Sequence, residues 1–181
     1  MSKETSKIPG STEKNAFNGA VLVGVIPEQP ARVVHEAARY AKVFGVPLVV
    51  VHVDVTRFVT SEDPDGYVHS APIDLNIATS EGELDQVRTE VEAALADTGV
   101  AWTLDQLVGD PALAIKHHAD KIDARLLVIG TRKRGFGESV REFFTGSVAA
   151  RLAHRQHRPI LVVPLGDPLS DEDDPWASTE A

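Results

Sequence analysis

Apolar and polar positions along the chain alternate between two periods. Ala20 to Ile26 (AVLVGVI) is an unbroken apolar run, the pattern of a parallel strand buried on both faces. Pro27 and Pro30 break it, and Val33, Val34, Ala37, Ala38, Ala41 and Phe44 then recur at helical spacing. Gly45 stands where a helix C-cap belongs, and Pro47 to Val53 (PLVVVHV) reads as a second buried strand. Asp54 to Gly82 reads as a long irregular segment, because Pro72, Asp74 and Asn76 discourage regular structure. Leu84, Val87, Val91 and Leu95 form a second helical stripe that Gly99 ends. Ala101 to Val108 alternates as a strand nearer the edge of a sheet. In Gly109-Asp110-Pro111 the aspartate suits a helix cap and the proline suits the first turn. Ala112, Ile115, Ala119 and Ile122 face inward from that helix. Leu126 to Ile129 is a fourth strand, and Ser147 to Gln156 a fourth helix with Val148 and Leu152 inward. Ile160 to Val163 is a fifth strand.

This alternation predicts an α/β fold: a five-stranded parallel sheet with helices on both faces, joined by right-handed crossovers. Such sheets bind ligands beyond the carboxyl ends of their strands, near the topological switch point. Val25-Ile26-Pro27, His52-Val53-Asp54 and the segment that follows Gly130 lie at those ends and are expected to converge.

A chain of 181 residues favours one domain. Residues 1–18 are rich in Ser, Lys, Glu and Thr and are expected to be disordered. The domain runs over 19–165, and 166–181 is an acidic flexible tail in which Trp176 is incidental. No apolar run approaches the roughly 18 residues of a membrane span. The N-terminus lacks the apolar centre of a signal peptide, which makes a cytoplasmic location the default. The absence of cysteine excludes disulfides, thiol catalysis and cysteine metal sites.

A net charge of −9 sets the molecule as a whole against nucleic acid and anionic membrane. That charge is uneven. Arg132, Lys133, Arg134, Arg141, Arg151, Arg155 and Arg158 crowd into one stretch. Arg151 and Arg155 read as solvated side chains on an exposed helix. The 132–134 run fits solvation and phosphate binding equally.

The candidate chemistry lies in the same stretch. Gly130 and Gly146 bracket a glycine-rich loop containing Gly135 and Gly137, and Ser147 and Val148 open the next helix. Loop amides with a helix N-terminus behind them make a seat for phosphate. Glycine at 146 lets the backbone approach a ligand, and Ser147 suits both a phosphate contact and a helix cap. Gly135 and Gly137 fit a cradle or a loop tip. Among the histidines, His117 and His118 point apart on their helix, and His154 and His157 lack a third metal ligand. His52 ends a buried strand and reads as a satisfied core residue. The chain carries no Ser-His-Asp or paired-carboxylate pattern.

In order and spacing, four segments resemble the universal stress protein family. They are VLVGV with its following helix; LVVVHVD; Val108-Gly109-Asp110-Pro111 leading to Asp123-Ala124-Arg125-Leu126-Leu127-Val128-Ile129-Gly130-Thr131-Arg132; and Gly146-Ser147-Val148 through Arg158-Pro159-Ile160-Leu161-Val162-Val163-Pro164. The resemblance covers about residues 19–165. It implies a flavodoxin-like or Rossmann-like sheet and a homodimer formed through the last strand, here 160–163. One branch of the family binds ATP through Gly-x-x-Gly, nine residues, then Gly-Ser or Gly-Thr. This chain matches that pattern at Gly130, Gly146 and Ser147, but its loop is three residues longer. The aspartate that ends the first strand in binders is replaced by Ile26, and Val53 matches the apolar position beside the base.

Two readings follow from the resemblance. In the first, the protein is a dimeric cytoplasmic stress regulator that binds ATP or another adenine nucleotide, with Mg2+. Val25, Val53, Gly130, Arg132, Gly135, Gly137, Gly146, Ser147 and Val148 line the site, and Arg132 offers a bidentate grip on the triphosphate. No general base is apparent, so hydrolysis is expected to be very slow or absent. In the second, the protein binds no nucleotide and acts as a dimeric protein-interaction module.

Overall fold

The computed structural model describes residues 16–62, 68–72, 77–131 and 148–166. In chain order the elements are β1 (Val21–Val25), α1 (Arg32–Phe44), β2 (Leu48–Asp54), β3 (Arg57–Glu62) and β4 (Val68–Pro72). They continue with α2 (Ile77–Leu95), β5 (Trp102–Val108), α3 (Pro111–Lys121), β6 (Leu126–Gly130), α4 (Val148–Ala153) and β7 (Ile160–Val163).

Five strands pair in parallel in the order β5-β2-β1-β6-β7. The chain builds outward from β1 to β2 and β5, then returns past β1 to add β6 and β7. The order therefore reverses between β1 and β6, as in Rossmann-type sheets. Each side chain row runs straight across the sheet: Thr103, Val49, Leu22, Leu127 and Ile160 lie side by side.

Because side chains alternate along a strand, each apolar run feeds two cores. Val21, Val23, Leu48, Val50 and Val128 pack beneath α1 and α2, which contribute Val33, Ala37, Val87 and Val91. Leu22, Val49, Val51, Leu127 and Ile129 pack against α3 and α4, which contribute Ile115, Ala119 and Leu152. Phe17 also packs on this second cluster. A Cβ on Gly24 would stand 3.2 Å from Ile115 Cδ1 and from Ile129 Cδ1, so glycine allows α3 to sit close to the sheet.

The helix ends follow their local chemistry. Gly45 adopts a left-handed φ of 64°, and Val46 N–H returns to Ala41 O at 3.0 Å, which closes α1. Asp110 caps α3 by accepting from Leu113 N at 3.0 Å, with Pro111 in the first turn.

Two sequence expectations are corrected here. Asp54 to Gly82 is not irregular: β3 and β4 form an antiparallel pair, and α2 begins at Ile77. Pro72 is accommodated at the end of its strand because, in a two-stranded sheet, both strands are edges, where proline is tolerated. Arg151 is not simply solvated. Its guanidinium grips Asp110 through two bonds, of 2.7 and 2.8 Å, joining α4 to the start of α3.

That pair holds the Asp110 carboxyl below the usual carboxylate range, the Arg151 bond being the main cause. A carboxyl held low in the folded state stabilises the fold above the ordinary carboxylate range, and the contribution fades as pH falls through the folded value. Both partners are about one-third exposed, so solvent screens the pair. Arg151→Ala is expected to cost about 0.5–1 kcal/mol at neutral pH, and less below about pH 4. Asp110→Ala also loses the cap and is expected to cost about 1–2 kcal/mol. Urea unfolding of both variants at pH 7 and pH 3.5 checks the size and the pH trend together.

Arg158 performs a similar role at the start of β7. Its guanidinium donates to Ala124 O at 2.8 Å and to Asp120 Oδ1 at 2.6 Å.

Candidate functional site

The carboxyl ends of β1, β2 and β6 form the switch-point region. Gly24 pairs with Ile129, so Val25 stands level with Gly130, and Val25 pairs with His52. Gly130, Val25 and His52 thus share one row on the α1–α2 face. Val53 lies one residue further and on the opposite face, where it packs with Val148 against the α3–α4 cluster. Of the sequence-predicted residues, Val25 and Gly130 are brought together, while Val53 and Val148 belong to the other face. Arg132, Gly135, Gly137, Gly146 and Ser147 lie outside the described residues.

Gly130 is enclosed by three side chains. A Cβ there would collide with Gln29 Nε2 and would stand 3.0 Å from both Val33 Cγ2 and Leu165 Cδ1. Packing alone therefore requires glycine at this position. Beyond it, Thr131 fastens the neighbouring strand: its N–H donates to Val163 O at 2.9 Å, and its Oγ1 accepts from Leu165 N at 2.9 Å.

The turn from β1 into α1 sets the position of Gln29. Strand β1 stops at Val25, and Ile26 is 61% exposed, which takes it out of the apolar run read from the sequence. Ile26 N–H donates to Gln29 Oε1 at 3.1 Å. Glu28 has a left-handed φ of 59°. For a residue with a Cβ that conformation costs about 1–2 kcal/mol, so something must hold it. The Glu90 carboxylate does so from α2, accepting Glu28 N–H with both oxygens at 3.2 Å, while Gln86 Nε2 steadies Glu90 at 2.9 Å.

Val25, Ile26, Gln29, Val34, Val87 and Glu90 line a cleft of about 170 Å³ between this turn and α2. Ligand pockets more commonly measure about 300–1,000 Å³.

His52 is buried as expected but only half satisfied. Its Nδ1 lies 3.3 Å from Val25 O, which accepts, so Nδ1 carries the proton. Its Nε2 has no hydrogen-bond partner among the described residues and lies 3.8 Å from Glu83 Oε2. Asp54, also buried, shapes the turn after β2: its carboxylate accepts from Thr56 N–H at 2.8 Å and from Thr56 Oγ1 at 2.6 Å.

Sequence reasoning missed Glu28, Gln29 and Glu90. The available signal was the polar pair Glu28-Gln29 between two prolines, directly after the first strand. Among the described residues, no group of three or more His, Asp or Glu side chains is placed to hold a metal ion. No helix among them is long and apolar enough to cross a membrane.

The model of the universal stress protein family matches residues 18–164. The stress response protein NhaX of Bacillus subtilis is 30% identical over 83 residues, which cover 46% of this chain and 48% of that protein. The match thus spans about half the length of that relative. Among solved structures, the universal stress protein of Archaeoglobus fulgidus in complex with dAMP superposes with a TM-score of 0.54 at 22% identity, covering 81% of this chain and 98% of that one. A universal stress protein in complex with cAMP superposes with a TM-score of 0.58 at 21% identity, covering 83% and 99%.

Proposed function

Because the chain belongs to the universal stress protein family, we propose that it is a cytoplasmic stress-response regulator that binds an adenine nucleotide at the carboxyl ends of β1, β2 and β6. The observation that carries this reading is Gly130, level with Val25 where the strand order reverses. A ligand there meets backbone from two strands whose connections diverge, and this geometry supports binding in open α/β sheets. The two superposed relatives bind dAMP and cAMP, which supports an AMP-type moiety as the common ligand. The proposed contacts are Val25 and Gly130, with phosphates reaching Arg132, Gly135, Gly137, Gly146 and Ser147; Val53 and Val148, on the other face of the sheet, are left out of them. Magnesium would arrive on the phosphates of ATP.

Titration calorimetry of the nucleotide-stripped protein with Mg-ATP and with AMP tests the reading. Micromolar binding that Gly146→Leu with Ser147→Ala abolishes, without change in the circular dichroism spectrum, is the expected result. Binding that survives that pair moves the site elsewhere.

A second reading, a dimeric interaction module without nucleotide, is favoured by Ile26 standing where binders carry an aspartate. Both readings include a homodimer through β7, the edge strand beside β6. Val162 is the side chain to test, being 45% exposed, whereas Leu161 packs onto the α1–α2 core and its replacement by arginine would damage the fold itself. Val162→Arg is expected to shift the sedimentation mass from dimer to monomer; an unchanged mass removes β7 from the interface.

A further inference from the structure

We propose that Gln29 is a built-in plug of the switch-point crevice, which a ligand must displace before it can bind; this rests on the nucleotide reading above. The carboxamide does at this place what a ligand's polar group would do. Its Oε1 takes the Ile26 N–H at the end of β1, at 3.1 Å. Its Nε2 end lies over Gly130, in the space a side chain at 130 would fill. Gln29 thus bridges the end of β1 to β6 and covers the glycine together with Val33 and Leu165.

The plug is held from a distance. Glu28 keeps its left-handed φ only while its N–H is gripped by Glu90, so α2 sets where residue 29 points. With that grip released, Glu28 relaxes toward the ordinary region of φ and carries Gln29 with it. Glu90 therefore acts as a positioning residue. A ligand that offers an acceptor to Ile26 N–H, such as a ring nitrogen or a phosphate oxygen, replaces Oε1 without leaving that donor unpaired.

A site closed by such a plug binds with its intrinsic affinity reduced by the fraction of molecules that are open. A plug closed in nine molecules of ten lowers affinity about tenfold. The test is calorimetric titration of Mg-ATP into the full-length wild type, Gln29→Ala and Glu90→Ala, with unfolding midpoints as a control of fold. The expected result is about tenfold tighter binding in Gln29→Ala and a smaller gain in Glu90→Ala. Binding by Gln29→Ala with a silent wild type supports the plug still more directly. Equal affinity in wild type and Gln29→Ala overturns the plug and leaves the nucleotide reading standing. Weaker binding in Gln29→Ala also overturns it, making Gln29 a ligand contact. Silence from all three proteins overturns the nucleotide reading, and the plug falls with it.

Discussion

Leu127→Ala is expected to lower the unfolding free energy by about 3–4 kcal/mol, toward the upper part of the range for buried leucines. Leu127 is fully buried in β6, a strand with neighbours on both sides. Leu22 and Ile160 flank it in the same row, and Leu152 and Ile115 from the overlying helices belong to the same cluster. A cavity opened there is walled by strands whose backbones are already paired, so the surroundings have little freedom to collapse into it. Val43→Ala on the exposed side of α1 removes an apolar side chain from solvent (Val43 is 71% exposed) and is expected to change stability by no more than about 0.5 kcal/mol. Urea unfolding of the two variants gives the comparison. A loss below about 1 kcal/mol for Leu127→Ala would mean that this face of the sheet is loosely packed.

That contrast marks what was legible in the chain. Buried parallel strands read as continuous apolar runs because both of their faces must be apolar, so β1, β2 and β6 stood out. Gly45 and Asp110-Pro111 marked helix ends because their chemistry suits few other positions. The β3–β4 pair was not legible: its strands are short, and Pro72 with the neighbouring Asp74 and Asn76 read as breakers of regular structure.

The candidate site was legible to a lesser degree, for a different reason. Gly130 and Val25 could be placed because strand ends and glycines mark positions in an open α/β sheet. Gln29, Glu28 and Glu90 could not, because their significance lies in a contact between residues 62 positions apart. A charged residue on the polar side of a helical stripe gives no sign that it will hold the backbone of a distant turn. Arg151 was misread for the same reason: its partner Asp110 lies 41 positions away.

Gly130→Val is expected to have the second largest effect on stability, a loss of about 2–3 kcal/mol, together with loss of nucleotide binding. The first carbon of the new side chain meets three neighbours at once. Gln29 can yield, since only the far end of a flexible chain is in the way. Val33 and Leu165, already 3.0 Å from the Cβ position, are anchored in the α1–α2 core and can yield far less. The two methyl groups of valine extend into the same space. Gly130→Ala stops at the first carbon and is expected to cost about 1 kcal/mol. Its effect should depend on Gln29. In a Gln29→Ala background the collision with Nε2 is gone, so the cost of Gly130→Ala should fall by about 0.5–1 kcal/mol, the coupling expected of residues in contact. A double-mutant cycle in urea measures this directly. Strict additivity would mean that Gln29 does not lie over Gly130 in solution, and the crevice would then be open without a ligand to open it.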